Sequence, residues 1–338
     1  MLRLIVCILA AVVGAGFASG REIIRFFSRW GSLSWPLILL CALAAGWMTH
    51  RLLERSASIF PSNNHPASGL VSVLLLAMYL CVSGGMAASA GELAALTIPI
   101  HYARSLGLLF TLFTCVLLSK RLGAALQGLG CALIPLLIAA WTLCLKIPSQ
   151  LECPAPIYLP SSIVTAPMLT LFYCAMNMTL AAGVINKLAA QCTEMQKKRL
   201  SAGVGIGFGL MLTLGNAALL PHLDALADQP LPTVMLLRGY GKTGFYLSAS
   251  VLYLAVSTTL IAALSAAREL LPRRIQAKAG PVLFVLSALI ACLGFTRIVA
   301  WAYPILGAFG LMTMLPKKKR QQYASAQMPD RQESLYNS

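Results

Sequence analysis

The sequence predicts an all-α polytopic membrane protein of about ten transmembrane helices. The first observation is composition, since 58% of the 338 residues are hydrophobic, 11% are charged and the mean hydropathy is +0.78. The second is placement, because Lys and Arg gather at the ends of apolar runs and in the short segments between them. The third is a glycine-rich interruption of the first apolar run, at Gly14–Gly20. These features describe a bilayer protein rather than two soluble domains.

Apolar runs of membrane-spanning length recur along residues 1–316, which we assign to one transmembrane domain. The basic tail at 317–338 is predicted to be disordered and cytoplasmic. The ten predicted spans are 2–27, 34–51, 69–98, 105–119, 122–146, 162–187, 200–220, 244–267, 281–296 and 298–315.

The distribution of cations predicts the orientation of these spans. With the N-terminus inside, most of the 26 Lys and Arg residues fall on the inner side, including the cluster Lys317–Arg320. Both termini are therefore predicted to be cytoplasmic, and the number of spans to be even. Ten spans divide into five plus five, and an odd-numbered unit repeated once inserts its second copy inverted. This reasoning predicts a 5+5 inverted repeat in which helices 1 and 6 are both discontinuous.

The first span contains the stretch on which the rest of the prediction depends. Leu2–Val13 is about 18 Å long as a helix, too short for a hydrocarbon core of about 30 Å, whereas 2–27 is long enough. Glycine lets the backbone leave helical geometry, and opened backbone in a membrane is tolerated beside protein or a water-filled cavity. Transporters hold ions and substrates at such helix ends. The predicted substrate-binding residues here are Gly14, Ala15, Gly16, Phe17, Ala18, Ser19 and Gly20.

Two other interpretations of this stretch stay open at the level of sequence. A glycine-rich helix also allows close packing against a neighbouring helix. Alternatively, Arg3, the apolar run Leu4–Val13 and the small residues Ala15–Ala18 fit a cleaved signal peptide. Charge topology does not separate the second alternative from a retained helix, because cleavage leaves the later loops on the same sides.

Two carboxylates lie well inside predicted spans, Glu22 and Glu92. A buried charge needs a partner, water or a proton, so both are candidates for handling an ion, a proton or a substrate. With Arg21 and Arg25 they form the predicted coupling or gating set. The competing interpretation is structural, with a carboxylate paired to a nearby arginine or Glu92 reaching the outer interface. If the segment is helical, Glu22 lies about 9 Å outward of Gly16.

Two further spans contribute to the predicted substrate-binding set. Span three has a run of small residues around Gly84 and Gly85, which allows a ligand, or only another helix, to approach closely. Span six places Tyr173 and Asn177 near mid-depth, where polar groups are costly unless they have a role.

Span eight has neighbouring hydroxyls at Ser257, Thr258 and Thr259. Freed backbone carbonyls and such hydroxyls together form an oxygen site suited to a hard monovalent cation. We name Ser257, Thr258 and a carbonyl near Ala15 as a predicted sodium site. The alternative is that the hydroxyls bond back to their own helix.

The loop between spans seven and eight is the longest that carries its own pattern. A short helix is predicted at Thr233–Arg238. The loop either covers an outer vestibule or rests on the membrane surface as a connector.

Several function classes lack the residues they require. The net charge of +16 is explained by orientation signals, so no nucleic-acid partner is predicted. The ten cysteines include no C-x-x-C pair and the four histidines lie far apart, so no metal site or disulfide framework is predicted. The alternating run Gly203–Gly209 is interpreted as a packing face. No Walker loop, serine-hydrolase elbow or zinc motif is present, so we expect neither an enzyme nor a cofactor. The predicted partners are the lipid bilayer and a small-molecule substrate.

The stretch Gly14–Gly20, followed by Glu22-Ile23 and Phe26-Phe27, closely resembles the N-terminal signature of the YkvI family of bacterial membrane proteins. That family looks like a distant branch of the amino acid–polyamine–organocation superfamily, which shares the inverted five-plus-five fold of the bacterial leucine transporter. The resemblance implies a solute site between spans one and six. It also implies a sodium site between the glycine-rich break in span one and the span-eight hydroxyls. Arg21 departs from the pattern, which has a neutral amide there.

The functional prediction is a secondary transporter of the bacterial inner membrane, coupled to Na⁺ or H⁺, that carries a small polar organic solute, an amino acid or a relative. Helix dipoles at the breaks are expected to bind a substrate carboxylate. Glu22 is expected to carry a proton or to act as an outer-gate counter-ion. The alternative is a transporter-like membrane receptor or assembly subunit that binds a ligand and moves nothing.

Overall fold

The computed structural model describes residues 1–54, 66–119, 122–148, 165–189, 192–276, 278–294, 297–298 and 303–314. Within these ranges the regular structure is helical. The α-helices are α1 (Leu2–Val12), α2 (Ala15–Ala18), α3 (Arg21–Phe26), α4 (Ser34–Glu54), α5 (Pro66–Thr97), α6 (Ala103–Leu118), α7 (Leu122–Cys144), α8 (Ala166–Ala189), α9 (Glu194–Leu219), α10 (Leu223–Leu226), α11 (Pro232–Leu237), α12 (Gly241–Glu269), α13 (Arg273–Gln276), α14 (Ala279–Ala291) and α15 (Tyr303–Met314). Short 3-10 helices occupy Ser28–Leu33, Leu220–His222 and Arg238–Tyr240.

The helices have the length and composition expected of a membrane protein. Among the described residues, five helical stretches are long and apolar enough to cross a bilayer, and several shorter apolar helices accompany them. The five are Ser28–Glu54, Ser72–Thr97, Ala166–Asn186, Glu194–Leu226 and Pro232–Glu269. Each predicted span overlaps at least one described helix. These helices confirm the prediction of an all-helical membrane protein.

Three long helices form the buried centre of the molecule. Most residues of α5, α8 and α12 are enclosed, whereas α4 is more exposed. α5 packs against α6, α12 and α14, and α8 packs against α4 and α15. α1 runs beside α7, α8 and α9. The broken first span therefore lies among other helices rather than at the edge of the bundle.

The first span is interrupted twice. α1 ends at Val12, and Val13 leaves helical geometry with ψ 90°. Gly14 is extended, with φ −90° and ψ −177°. A second turn separates α2 from α3 at Gly20, whose φ of +82° is a left-handed conformation that glycine adopts without a steric cost. The predicted opening near the middle of the span is present, and a second interruption follows it.

The predicted discontinuity of helix 6 is wrong, because α8 runs unbroken from Ala166 to Ala189. Two of its polar side chains bond within the helix, since Asn177 Nδ2 donates to the Tyr173 carbonyl at 3.0 Å and Thr179 Oγ1 to the Ala175 carbonyl at 2.7 Å. Gly183 faces Ala266 at ordinary contact distance and serves packing. An intact helix satisfies its backbone polar groups internally, so these side chains do not require an opened backbone.

The predicted loop helix at Thr233–Arg238 corresponds to α11, Pro232–Leu237. Its residues Thr233 and Val234 are buried, so this segment packs against the rest of the molecule and is not a surface connector. α9 begins at Glu194, earlier than the predicted 200, because Thr193 and Gln196 form a capping box that starts the helix. The predicted tail at 317–338 lies outside the described residues.

Candidate functional site

The opened backbone at Val13 and Gly14 is held by side chains from two other helices. Thr259 Oγ1 of α12 donates to the Val13 carbonyl at 3.2 Å. The Ala15 N–H donates to Met86 Sδ of α5 at 3.3 Å. A thioether sulfur is a weak acceptor, so this N–H is poorly satisfied. The break therefore presents main-chain polar groups to a protein-lined interior, the setting in which opened backbone is tolerated within a membrane.

Glu22 folds back onto Gly16. The Glu22 side chain is 2% exposed, and a Cβ placed on Gly16 would lie 2.6 Å from its Cγ and Cδ atoms. The predicted separation of about 9 Å assumed a continuous helix, and the turn at Gly20 interrupts that helix. Glycine at position 16 is therefore required by the close approach of a carboxyl group.

Tyr173 of α8 holds the Glu22 carboxyl. The Tyr173 hydroxyl donates to Glu22 Oε2 at 3.0 Å, which joins the first and sixth spans. None of the ion pairs within the described residues includes Glu22, so it is not neutralised by Arg21 or Arg25. A carboxylate buried without a cation is costly, so this enclosure favours a bound proton or a cation supplied by a ligand.

An aromatic wall surrounds the break. Phe17 packs against Trp141 of α7 and Phe208 of α9, with ring centroids 5.3 and 5.7 Å apart. Phe26 stacks on Tyr173 at 4.7 Å. Trp141 is fully buried, and its Nε1 has no hydrogen-bond partner in the described part of the chain. The wall therefore combines apolar ring faces with one N–H group that has no hydrogen-bond partner among the described residues.

Sequence reasoning missed Trp141 and Phe208. The signal for Phe208 was weak but present, because it is the one aromatic residue in the run Gly203–Gly209. Trp141 stands alone among aliphatic residues of span five. Neither pattern tells a site aromatic from a core aromatic, since both kinds are buried and apolar.

The hydroxyls of α12 divide into two kinds. Ser257 Oγ donates to the Tyr253 carbonyl at 2.8 Å and Thr258 Oγ1 to the Ala255 carbonyl at 3.1 Å, both within their own helix. Thr259 is the hydroxyl that reaches the break. The cation site predicted at Ala15, Ser257 and Thr258 stays a prediction. Thr259, the third hydroxyl of that run, lies outside the predicted set although it contacts the break.

Other predicted site residues lie elsewhere. Gly84 and Gly85 face Ile290 and Ile298, so close packing accounts for their size. Glu92 accepts from Arg104 Nη2 at 2.9 Å in a partly exposed ion pair. Arg25 is half-buried, and its carbonyl lies 3.4 Å from Arg29 Nη1. Within the described residues, none of the hydrogen bonds or ion pairs brings these side chains to Glu22.

The segment between α9 and α12 covers the end of the break that leads into α3. Arg21 Nη1 donates to the carbonyls of Ala227 and Gln229, at 2.6 and 2.9 Å. The Thr233 N–H donates to the Ser19 carbonyl at 2.8 Å. Arg21 therefore binds main-chain oxygens of this connection. We call its residues 227–233 the cover segment.

No family model matches the chain. Two proteins of Bacillus subtilis (strain 168) are similar to it over nearly its whole length. An uncharacterized protein, YyaD, is 21% identical over 332 residues, which are 91% of this chain and 93% of the relative. An uncharacterized membrane protein, YkvI, is 23% identical over 321 residues, which are 89% of this chain and 90% of the relative.

The similarity to YkvI agrees with the resemblance carried by the first span. It supports a YkvI-like helical membrane protein. Both relatives are named as uncharacterized, so neither brings a substrate or a coupling ion to this chain.

Proposed function

We propose that the chain is a cation-coupled secondary transporter of a small polar organic solute, an amino acid or a relative. The observation that carries this proposal is the Glu22 carboxyl, which is buried within a membrane-spanning segment, folded onto opened backbone and held by Tyr173. Ionisable groups in such positions mark ion, proton or substrate pathways. A carboxyl that gains or loses a proton or cation as its neighbours move is a direct means of coupling.

The solute is proposed to bind beside the break. Main-chain groups of Val13–Gly16 and the Trp141 Nε1 group supply polar contacts, while Phe17 and Phe208 enclose the apolar part of the solute. Small-molecule sites generally combine apolar walls with a few placed polar groups. Asn177 lies one helical turn from Tyr173 and extends this surface along α8.

If sodium is the coupling ion, we propose that it binds between α12 and the break. The Val13 carbonyl and the Thr259 hydroxyl already lie 3.2 Å apart, and Ser257 and Thr258 adjoin on the same helix. Unwound carbonyls coordinate sodium in transporters with broken helices. Binding would replace the hydrogen bond between Thr259 and Val13 with two oxygen–cation contacts.

The helix packing supports a five-plus-five arrangement and, with it, a distant relation to the amino acid–polyamine–organocation superfamily. Exchanging each span with the one five later turns the pair α1–α7 into α8–α15, and α1–α9 into α8–α4; all four pairs pack. The same exchange relates α5–α6 to α12–α14, and α6–α12 to α14–α5. The extensive α7–α12 contact has no equal between α15 and α5 among the described helices.

We also propose that both termini lie in the cytoplasm and that the protein resides in a bacterial inner membrane.

Uptake by purified protein in proteoliposomes tests the proposal. A panel of amino acids and related solutes is offered with an imposed sodium gradient, a proton gradient or neither. We expect one gradient to drive accumulation of at least one solute, and Glu22→Gln to abolish that accumulation. Glu92→Gln is the matched control, because it removes a carboxylate from an exposed ion pair with Arg104.

Uptake that is the same with and without either gradient would refute coupling to sodium or protons. Thermal stabilisation by a solute without any flux would favour the receptor or assembly subunit instead. If Glu22→Gln and Glu92→Gln behave alike, Glu22 has no special role in coupling.

A further inference from the structure

A pocket of about 400 Å³ lies between α6, α12 and α14 and shares no lining residue with the broken span. Phe113 and Leu117 form its α6 side, Leu264 its α12 side and Phe284 its α14 side. Phe113 and Leu117 are about half exposed, so the pocket opens sideways on the surface of the bundle. In a bilayer that opening faces lipid.

One end of the pocket carries a cation. Arg268 is part of the lining, and its Nε donates to the Gln276 carbonyl at 2.8 Å. No hydrogen bond among the described residues uses the two Nη groups of Arg268. Nearby, Ser265 Oγ donates to the Ser119 carbonyl at 2.8 Å and ties α12 to α6. The guanidinium is therefore held along one edge, and its Nη donors are available as far as the described residues are concerned.

The surroundings of that end are positively charged. Arg274 and Lys278 are exposed and lie in the short connection that leads from α12 to α14. Glu269 is the only carboxylate in the sequence between 265 and 281, where Arg273 adds a further cation. An anion at the mouth of the pocket would meet an excess of positive charge.

We propose that this pocket binds an anionic glycerophospholipid from the bilayer. One acyl chain lies against Phe113, Leu117 and Phe284, and the headgroup phosphate receives hydrogen bonds from the Arg268 guanidinium, which suits phosphate geometry. Basic pockets between membrane helices bind anionic headgroups in this way. The inference needs only a bilayer around the chain, so it stands whether or not the protein transports a solute.

The test compares lipids by native mass spectrometry and by thermal unfolding of purified protein. Phosphatidylglycerol is added to the delipidated full-length chain in detergent, with phosphatidylcholine and soluble glycerol 3-phosphate as the other two arms. We expect phosphatidylglycerol to stay bound and to raise Tm more than phosphatidylcholine, and glycerol 3-phosphate to do neither. Arg268→Gln is expected to remove most of the preference for phosphatidylglycerol.

Lys242→Gln is the matched control, because it removes one exposed cation from the opposite end of the same helix. Equal loss in Lys242→Gln and Arg268→Gln would overturn the proposal in favour of general charge attraction. Equal binding of phosphatidylcholine, or a Tm rise with glycerol 3-phosphate alone, would also overturn it. Should Arg268→Gln fail to fold, Leu117→Trp narrows the exposed side of the pocket and is expected to weaken retention of phosphatidylglycerol; unchanged retention would contradict the assignment.

Discussion

Replacing Gly16 by alanine tests the contact between the broken span and Glu22 directly. Gly16 does not have a positive φ, so an alanine there meets no backbone penalty of that kind. Its Cβ would instead lie 2.6 Å from Glu22 Cγ and Cδ, whereas carbon atoms in contact normally lie about 3.5–4.0 Å apart. The carboxyl must therefore move away from the break.

The cost follows from two terms. Overpacking a tight interior typically costs about 1–3 kcal/mol. If Glu22 moves, its hydrogen bond with Tyr173 is lost as well, which adds about 0.5–3 kcal/mol depending on the charge of the carboxyl. We therefore expect Gly16→Ala to destabilise the protein by roughly 1.5–6 kcal/mol and to abolish solute uptake.

Thermal unfolding in detergent and proteoliposome uptake measure these effects. Gly128→Ala in α7 is the matched control, because a Cβ there meets nothing within 4 Å, and the change should be neutral or stabilising by up to about 1 kcal/mol. Glu22→Ala removes the obstructing side chain, so Gly16→Ala should cost much less in that background. Additive effects of the two substitutions would refute the inferred contact.

Three further predictions concern the neighbours of the break. Tyr173→Phe keeps the ring but removes the hydroxyl bound to Glu22, so we expect roughly tenfold slower uptake from a loss of about 1–2 kcal/mol; wild-type uptake rates would contradict this. Arg21→Gln removes the bonds to the cover segment, so hydrogen exchange of residues 227–233 should speed up, and unchanged exchange would rule out a holding role for Arg21. Thr259→Val should abolish any sodium-dependent rise in Tm or uptake, whereas Ser257→Ala, whose hydroxyl bonds within its own helix, should have a smaller effect; the reverse order would show that the cation contact was misassigned.

Local pattern was a sound guide to the helices and to the first interruption. Apolar runs of bilayer length predict helices because lipid offers no partner for backbone polar groups, and a helix satisfies them within one segment. The opening at Gly14 was foreseen because glycine lets the backbone leave helical geometry. Helix 6 was mispredicted because polar residues at mid-depth also satisfy themselves along an intact helix, as Asn177 does.

The make-up of the candidate site was much harder to foresee. Trp141, Phe208 and Thr259 belong to three different helices and meet the break only through packing. The pairing of Glu22 with Tyr173 joins residues 151 positions apart. It also depends on a single left-handed glycine, Gly20, that redirects α3.

The amino-acid sequence alone determined that this is a helical membrane chain and favoured an opening of its first span at glycine, because hydropathy and glycine freedom act through neighbouring residues. Only the tertiary structure decided that the Glu22 carboxyl lies on Gly16 beneath Tyr173, and that Arg21 binds the cover segment rather than Glu22. A hydrogen bond reaches only about 3 Å, so its partners depend on how distant helices pack, and that is set by the whole bundle.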